Sequence, residues 1–346
     1  MVSDVAIVGA GPAGSALAIE LGRQGVRVTL YEQSRGPRLK PCGEGLLPHG
    51  TAALREIAGL PEDAPRMRGL RFVSGDVSVE ADFPEGFGMI VRRDRFDAWL
   101  RDKAAATPNV DLRMGTPYRP SSERVVVGAD GKRSMFHRRL QACPSLPRRV
   151  GLSTHVGVLE GLGDRVEVFF HTDGELYLAP TGGGEALVSA LFYQSAFRRD
   201  GITHLLAAIP ELRARSADIE QTAPLLACAP LGLHVPRIVG EGLLLVGDAA
   251  GAPDPITGDG IAMAIVSARN AARAIVSGDF RAYERARLEM GRTADRLGRL
   301  LLRIPRADGR TTRMLLRRRA LVPTLLDVAV GRRPLTATTM LRAVCG

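Results

Sequence analysis

The stretch VAIVGAGPAGSALAIELGRQGVRVTLYE, residues 5–32, constrains what this chain can fold into more than any other. Val5 to Val8 make a short apolar run of the kind that forms a strand buried on both faces. Gly9, Gly11 and Gly14 follow in GxGxxG spacing, with Pro12 and Ala13 opening a helix that Gly22 and Gly25 close. Val26, Val28 and Leu30 then alternate as a second strand. Gly9 permits the tight turn, Gly11 lets the backbone approach a pyrophosphate, and Gly14 lets helix and strand pack closely. The helix start offers unpaired N–H groups and a positive dipole end to that anion. Glu32 stands 23 residues after Gly9, at the end of the second strand, with Gln33 next to it. A carboxylate there accepts hydrogen bonds from the ribose hydroxyls of an adenosine without a 2′-phosphate, which indicates NAD or FAD rather than NADP.

Beyond this unit the pattern changes twice. MIVRRDRFDAWLRDKAAA (89–106) reads as a strand end running into an amphipathic helix with Phe96, Trp99 and Leu100 on its apolar stripe. RVVVGADGKRS (124–134) is a further buried strand ending in a glycine turn, after an interval of only nine residues between Gly115 and Val125. From about 150 to 235 the stretches RVEVFFHT, ELYLAP and EALVSALF alternate as antiparallel strands, with TGGGE (181–185) as a hairpin turn. EGLLLVGDA returns to a buried strand, and after Gly258 the chain reads as helical, broken near Pro305 and Pro323. The expected fold is α/β, a Rossmann-like domain with a parallel sheet, an inserted antiparallel sheet and a helical C-terminal region. Its expected segments are 1–75, 89–150 and 236–280 for nucleotide binding, 76–88 and 151–235 for substrate, and 281–346 as a basic helical region.

GxGxxG with Glu32, GADGKRS, and GDAAGAPDPITGDG together resemble the FAD-dependent oxidoreductases of the para-hydroxybenzoate hydroxylase and geranylgeranyl reductase superfamily. The resemblance covers roughly residues 1–50, 89–135 and 240–275 and implies FAD as the cofactor. It places Gly247 and Asp248 on the ribityl or pyrophosphate side. It puts Pro255, Gly258, Asp259, Gly260 and Ile261 in a loop and helix start under the isoalloxazine. There a helix dipole with free amides suits the negative charge that a reduced flavin carries. RRDRFDAWL resembles the family's Arg-x-x-Phe-Asp-x-x-Leu, which brings Arg93 to the flavin side chain or its phosphates. The Asp-Gly pair puts Asp130 near the pyrophosphate and the passing nicotinamide. KPCGEGLLP resembles the Lys-Pro-Cys-Gly-Gly stretch of geranylgeranyl reductases, so Cys42, Gly43, Glu44 and Gly45 border the reaction chamber. Glu44, in place of a glycine, is expected to bring a carboxylate into it. The chain departs from the family in lacking the reductases' Tyr-x-Trp-x-Phe-Pro, with LYLAP (176–180) in its place, and the halogenases' tryptophan-rich motif, since Trp99 is its one tryptophan.

No second GxGxxG is present, so NAD(P)H is expected as a transient electron donor without its own domain. A single-component monooxygenase acting on an aromatic or polyketide-like hydrophobic molecule is the expected activity. The alternative is a geranylgeranyl-reductase-like enzyme acting on C=C bonds of a prenyl or lipid substrate, and a third reading is a flavin-binding protein without turnover. No catalytic side chain is assigned; His49 lies nearest in sequence to a flavin-facing stretch and reads as structural. Four cysteines without CxxC spacing point to no metal site and no disulfide framework, and three of them to buried thiols. The net charge of +10 is carried by the C-terminal region, where 16 arginines face 5 acidic residues after Phe280. An arginine-rich solvated face explains most of it in a chain with three lysines, and weak peripheral membrane contact is the functional alternative. Without interleaved aromatics, nucleic acid is not an expected partner. The lack of a basic leader or of a long apolar run gives a cytoplasmic expectation. Composition leaves the oligomeric state open.

Overall fold

The computed structural model describes residues 4–120, 123–145, 148–198, 200–217, 219–304 and 309–345. Its first layer is a six-stranded sheet in the order Val239–Gly240, Leu243–Leu245, Val125–Gly128, Val5–Val8, Val28–Glu32, Val110–Met114. All neighbours are parallel except the outermost pair, Val239–Gly240 with Leu243–Leu245. Val5–Val8 and Val28–Glu32 are buried along their whole length, as helix-covered parallel strands must be. The helix Pro12–Arg23 starts with Gly11 as N-cap and Pro12 in the first turn, where proline's missing N–H costs nothing. It is buried nearly all round because it lies between the sheet and the helix Gly260–Ser277. The helices Pro48–Ala58 and Arg93–Ala105 flank it.

The second layer is a seven-stranded sheet ordered Leu226–Cys228, Arg149–Val156, Glu185–Tyr193, Gly174–Gly182, Arg165–Phe170, Gly69–Ser74, Val77–Asp82. Its far face packs on the helices Gly201–Ala208 and Pro210–Arg215 through a separate core that includes Leu152, Phe169, Val188, Phe192, Leu205 and Leu212. The hairpin between Gly174–Gly182 and Glu185–Tyr193 turns at Gly183 and Gly184, within the TGGGE stretch. Two features differ from the sequence reading. Residues 69–74, expected in the nucleotide-binding segment, belong to this sheet, and they pair parallel, not antiparallel, with Arg165–Phe170. A strand this short carries no signal for which of two sheets recruits it; the partner that completes its ladder lies almost a hundred residues further along.

After Gly258 the described residues are helical: Gly260–Ser277, Phe280–Leu302, Arg310–Leu316, Leu321–Ala329 and Ala337–Cys345. The expected break at Pro305 lies outside the described residues. The helical run is interrupted at 317–320, just before Leu321–Ala329, whose first turn holds Pro323 at a position that needs no N–H donor. The arginines of this region were expected to point outward, yet Arg287 points in. It is 4% exposed, and its guanidinium donates to Gly251 O at 2.6 Å and Gly247 O at 3.4 Å. Cys143 is exposed rather than buried. No helix among the described residues is long and apolar enough to cross a membrane. Between Met114 and Val125 the described residues form no strand.

Candidate functional site: a nucleotide cradle facing a polar sheet wall

The glycine turn is built as its spacing requires. Gly9 has φ of +105°, in the region that only glycine enters freely, and a Cβ there would lie 2.6 Å from Ala129 O. A Cβ on Gly14 would lie 1.9 Å from Gly9 O, so helix and turn touch only because neither has a side chain. Gly11 differs from both. Its φ of −78° suits any residue, and the nearest atom to a Cβ there is Lys40 Nζ at 3.7 Å. Nothing within the chain therefore requires glycine at 11. The first intrahelical bond runs from Ser15 N to Gly11 O at 2.9 Å, which leaves the amides of Ala13 and Gly14 at the open helix end.

Glu32 is 5% exposed; its carboxylate accepts from Ala10 N at 3.2 Å and from Ser34 N at 2.8 Å, which fixes it beside the turn. Gln33 is exposed just past the strand. Across the turn, Asp130 accepts from Met135 N at 2.8 Å through one oxygen, while its other oxygen is buried with no partner. A buried carboxylate oxygen without a donor is costly, and a hydroxyl of a bound ligand would relieve it. Asp248 stands half-buried in the turn after Leu243–Leu245, which Arg287 and Tyr283 brace from below. The Tyr283 hydroxyl donates to Leu245 O at 2.5 Å.

Asp254 caps the turn Pro255–Thr257 by accepting from Ile256 N at 3.0 Å. Gly258 closes that turn with φ of +70°, and open space surrounds the Cβ positions of both Gly258 and Gly260. The first bond of the helix behind runs from Met263 N to Asp259 O at 2.9 Å, so the amides of Gly260, Ile261 and Ala262 precede its hydrogen-bond ladder. His49 lies with Nε2 2.9 Å from an Asp259 oxygen, at that helix start rather than free in a chamber.

Within the KPCGEG stretch, the Glu44 carboxylate departs from its expected role. Glu44 takes φ of +55°, the left-handed conformation that explains why a glycine suits this position. Its side chain, 1% exposed, does not project into a chamber. It accepts from Arg93 N at 2.9 Å, capping the helix Arg93–Ala105, and lies 3.0 Å from His155 Nε2 on the second sheet. Burial raises the Cys42 thiol above its usual range, against the pull of the nearby Arg93 charge, so Cys42 is held as a thiol rather than a nucleophilic thiolate. Gly43 and Gly45 have no close neighbour; Ser189 Oγ on the sheet stands 4.0 Å from the Cβ position of Gly43.

Arg93, expected along the cofactor, has its fork taken by Asp97, with both bonds at 3.0 Å. Asp97 also accepts from Lys40 Nζ at 2.7 Å, and it is Lys40 that overhangs Gly11. Sequence reasoning passed over Lys40 and Asp97, although Lys40 is one of three lysines in an arginine-rich chain. Burial alone would raise the Asp97 carboxyl, but the Arg93 and Lys40 charges outweigh it and hold Asp97 below the usual carboxylate range. With the folded-state pKa lowered, the stability that Asp97 contributes is present above its unfolded value of about 4 and disappears as pH falls through the lower folded value. Asp97→Asn, which breaks a buried network, is expected to cost about 3–5 kcal/mol in urea unfolding at pH 6, and this difference should shrink steadily below about pH 4.

Opposite the cradle stands the near face of the seven-stranded sheet. Residues paired across strands share a face, which brings Arg149, Ser153, His155, Ser189 and Tyr177 to one side. The single strand Arg149–Val156 grips both the KPCGEG loop and the turn before Gly258. At one end the Arg149 guanidinium, 0% exposed, pairs with Glu175 and with Asp254 at 2.6 Å, and at the other His155 meets Glu44. A third contact between the layers joins Arg92 to Glu185. Arg149 and His155 lie outside any motif, and Asp254, though inside GDAAGAPDPITGDG, is given no role by it; only the folded chain pairs it with Arg149. Burial pushes the Tyr177 hydroxyl above its usual range despite the nearby Arg149 charge, so it keeps its proton at any physiological pH.

The cradle at Gly11, the unmatched Asp130 oxygen and the clear space over Gly258 and Gly260 together fit a dinucleotide carrying a flat ring. A family model described as an FAD binding domain matches residues 2–119. Menaquinone reductase of Mycobacterium tuberculosis (strain ATCC 25618 / H37Rv) is 30% identical over 88% of this chain and 85% of its own length. Digeranylgeranylglycerophospholipid reductase 2 of Methanopyrus kandleri is 29% identical over 78% of this chain and 76% of its own length. Among solved structures, a triple mutant of the flavin-dependent brominase Bmp2 superposes with a TM-score of 0.83 at 20% identity, over 98% of this chain and 97% of that one, a likeness of fold. The chain belongs to the FAD-dependent oxidoreductases of the para-hydroxybenzoate hydroxylase and geranylgeranyl reductase superfamily.

Proposed function

We propose that this oxidoreductase is a reductase that saturates a C=C bond of an isoprenoid or similarly apolar substrate, with NAD(P)H or another reductant as the electron source. The observation that carries this reading is the chemistry of the sheet wall. Its groups opposite the Pro255–Gly258 turn are the proton-keeping hydroxyl of Tyr177, the hydroxyls of Ser153 and Ser189, and the paired Arg149, while the imidazole on this face, His155, is engaged by Glu44 at 3.0 Å. A hydroxylase that ionises a phenol needs a group ready to take a proton near neutral pH, whereas saturating an alkene needs a group ready to give one. The two relatives at 30% and 29% identity carry the names of reductases, which points the same way.

FAD, when bound, supplies a carrier for two electrons. The chain's own residues do the rest. Ala13 and Gly14 receive the pyrophosphate, with the Lys40 charge above Gly11, and Glu32 takes the ribose. The amides of Gly260 and Ile261 face the ring and favour negative charge on it. Arg149 holds the Asp254 carboxylate and thereby the turn that ends at Gly258, which would fix that turn against the sheet wall when FAD is bound. Tyr177 gives its proton to the carbon that receives none from the carrier. The two layers keep water from the chamber between them.

The test is anaerobic. The protein is reduced with NADPH or dithionite, mixed with a polyprenyl quinone or a geranylgeranyl lipid, and followed by flavin absorbance and product mass. Flavin reoxidation with a product heavier by two hydrogens is expected. Reoxidation only when oxygen is admitted, with a product heavier by one oxygen atom, would instead establish the monooxygenase reading. Tyr177→Phe is expected to slow the reoxidation step by about 10²-fold while leaving the visible spectrum unchanged.

A further inference from the structure

We propose that the segment Gly309–Arg319 is a docking surface for an anionic lipid bilayer, independent of which reaction the flavin performs. The helix Arg310–Leu316 lies on the strands Gly69–Ser74 and Val77–Asp82 with Thr312 and Leu316 buried beneath it. This orientation leaves Arg310, Met314, Arg317, Arg318 and Arg319 exposed on the outer side. Arg310, Arg313, Met314, Arg317 and Arg318 line a cleft of about 440 Å³.

Three observations select the occupant. The first is charge. No acidic residue occurs from 309 to 326, and Asp76 meets Arg313 at 3.8 Å and Arg317 at 3.3 Å. One carboxylate, itself 74% exposed, faces two arginines, and no acidic partner meets Arg318 or Arg319 among the described residues. Guanidinium forks suit phosphate oxygens, and several of them on one face suit a phosphate array better than a single ion. The second is Met314, an apolar side chain 53% exposed in the middle of the arginines. An apolar group ringed by cations matches the boundary between headgroups and acyl chains, where the ring meets phosphate and the centre meets hydrocarbon. The third is composition. No aromatic residue lies between 309 and 345, so the surface has nothing on which nucleic-acid bases could stack.

The experiment uses the full FAD-loaded chain and vesicles of phosphatidylcholine alone or mixed with phosphatidylglycerol. Flotation with the mixed vesicles, none with the neutral ones, and release on raising salt are expected. The double variant Arg317→Glu/Arg318→Glu should bind the mixed vesicles at least roughly 25-fold more weakly, at about fivefold per arginine near an anionic surface. Both sites are exposed, so the variant should retain the wild-type flavin spectrum and melting temperature, which reports folding independently. Failure of the wild type to float, or equal flotation of the variant, overturns the proposal. Release by millimolar inorganic phosphate, but not by chloride of equal ionic strength, would identify a small-anion cleft and overturn it too. So would tighter binding to duplex DNA than to the vesicles at the same salt.

Discussion

Gly11→Val should yield a folded protein that has lost its yellow colour. A Cβ at 11 meets no chain atom closer than 3.7 Å, and the backbone angles there are ordinary. The penalty to the protein without cofactor is then that of a poor helix N-cap, about 1 kcal/mol. The same side chain fills the path by which a pyrophosphate reaches the amides of Ala13 and Gly14. The FAD dissociation constant is expected to rise by roughly a hundredfold, or about 2.8 kcal/mol, read by fluorescence titration of the stripped protein. Gly14→Val is the control. Its Cβ falls on Gly9 O, a backbone atom that cannot move without dismantling the turn, and it should destabilise the protein itself by about 3 kcal/mol or more. If Gly11→Val bound FAD as the wild type does, the cradle would lie elsewhere.

Arg149→Met is expected to produce the largest loss outside the glycine turn. The guanidinium is fully buried between Glu175, itself 0% exposed, and Asp254. Removing it leaves the Glu175 carboxylate in the interior without its arginine, at a cost of about 3–5 kcal/mol in urea unfolding. It also releases Asp254 from the sheet, so the turn Pro255–Thr257 loses its tie to the facing wall. A shift of the flavin absorption bands and faster FAD loss should accompany the drop in stability. Arg149→Met/Glu175→Leu removes both charges and should recover most of the unfolding free energy, because replacing a buried pair is far cheaper than breaking one. It should not recover the flavin spectrum, since Asp254 stays untied. Recovery of both would mean that Arg149 acts on stability alone.

Legibility in the sequence divides along a physical line. Gly9, Gly11, Gly14 and Glu32 could be read because every requirement they meet is local. A turn angle, a close backbone approach and a strand-end carboxylate are set within about thirty residues and leave a spacing behind. The alternation of RVEVFFHT, ELYLAP and EALVSALF was equally legible, since a sheet with one face on helices imprints period two. Glu44 shows where local reading stops. Its place in the KPCGEG stretch marked a flavin-side loop, but nothing nearby in sequence indicated that its carboxylate turns away to cap the helix at Arg93 and meet His155. Arg287 is the same case in the tail: one of 16 arginines in a basic region, distinguished only by the two carbonyls of the Gly247 turn that it meets after folding.

By itself the sequence determined the cofactor class, the parallel sheet that holds it and the glycine-lined path to its phosphates, because backbone conformation and periodicity are local and written in order. The tertiary structure alone decided which side chains meet between the two layers. Lys40 with Asp97 over Gly11, Arg149 with Asp254, and His155 with Glu44 are pairs drawn from separate elements. Their energies arise only once folding has excluded water and fixed both partners, and no spacing along the chain records that event.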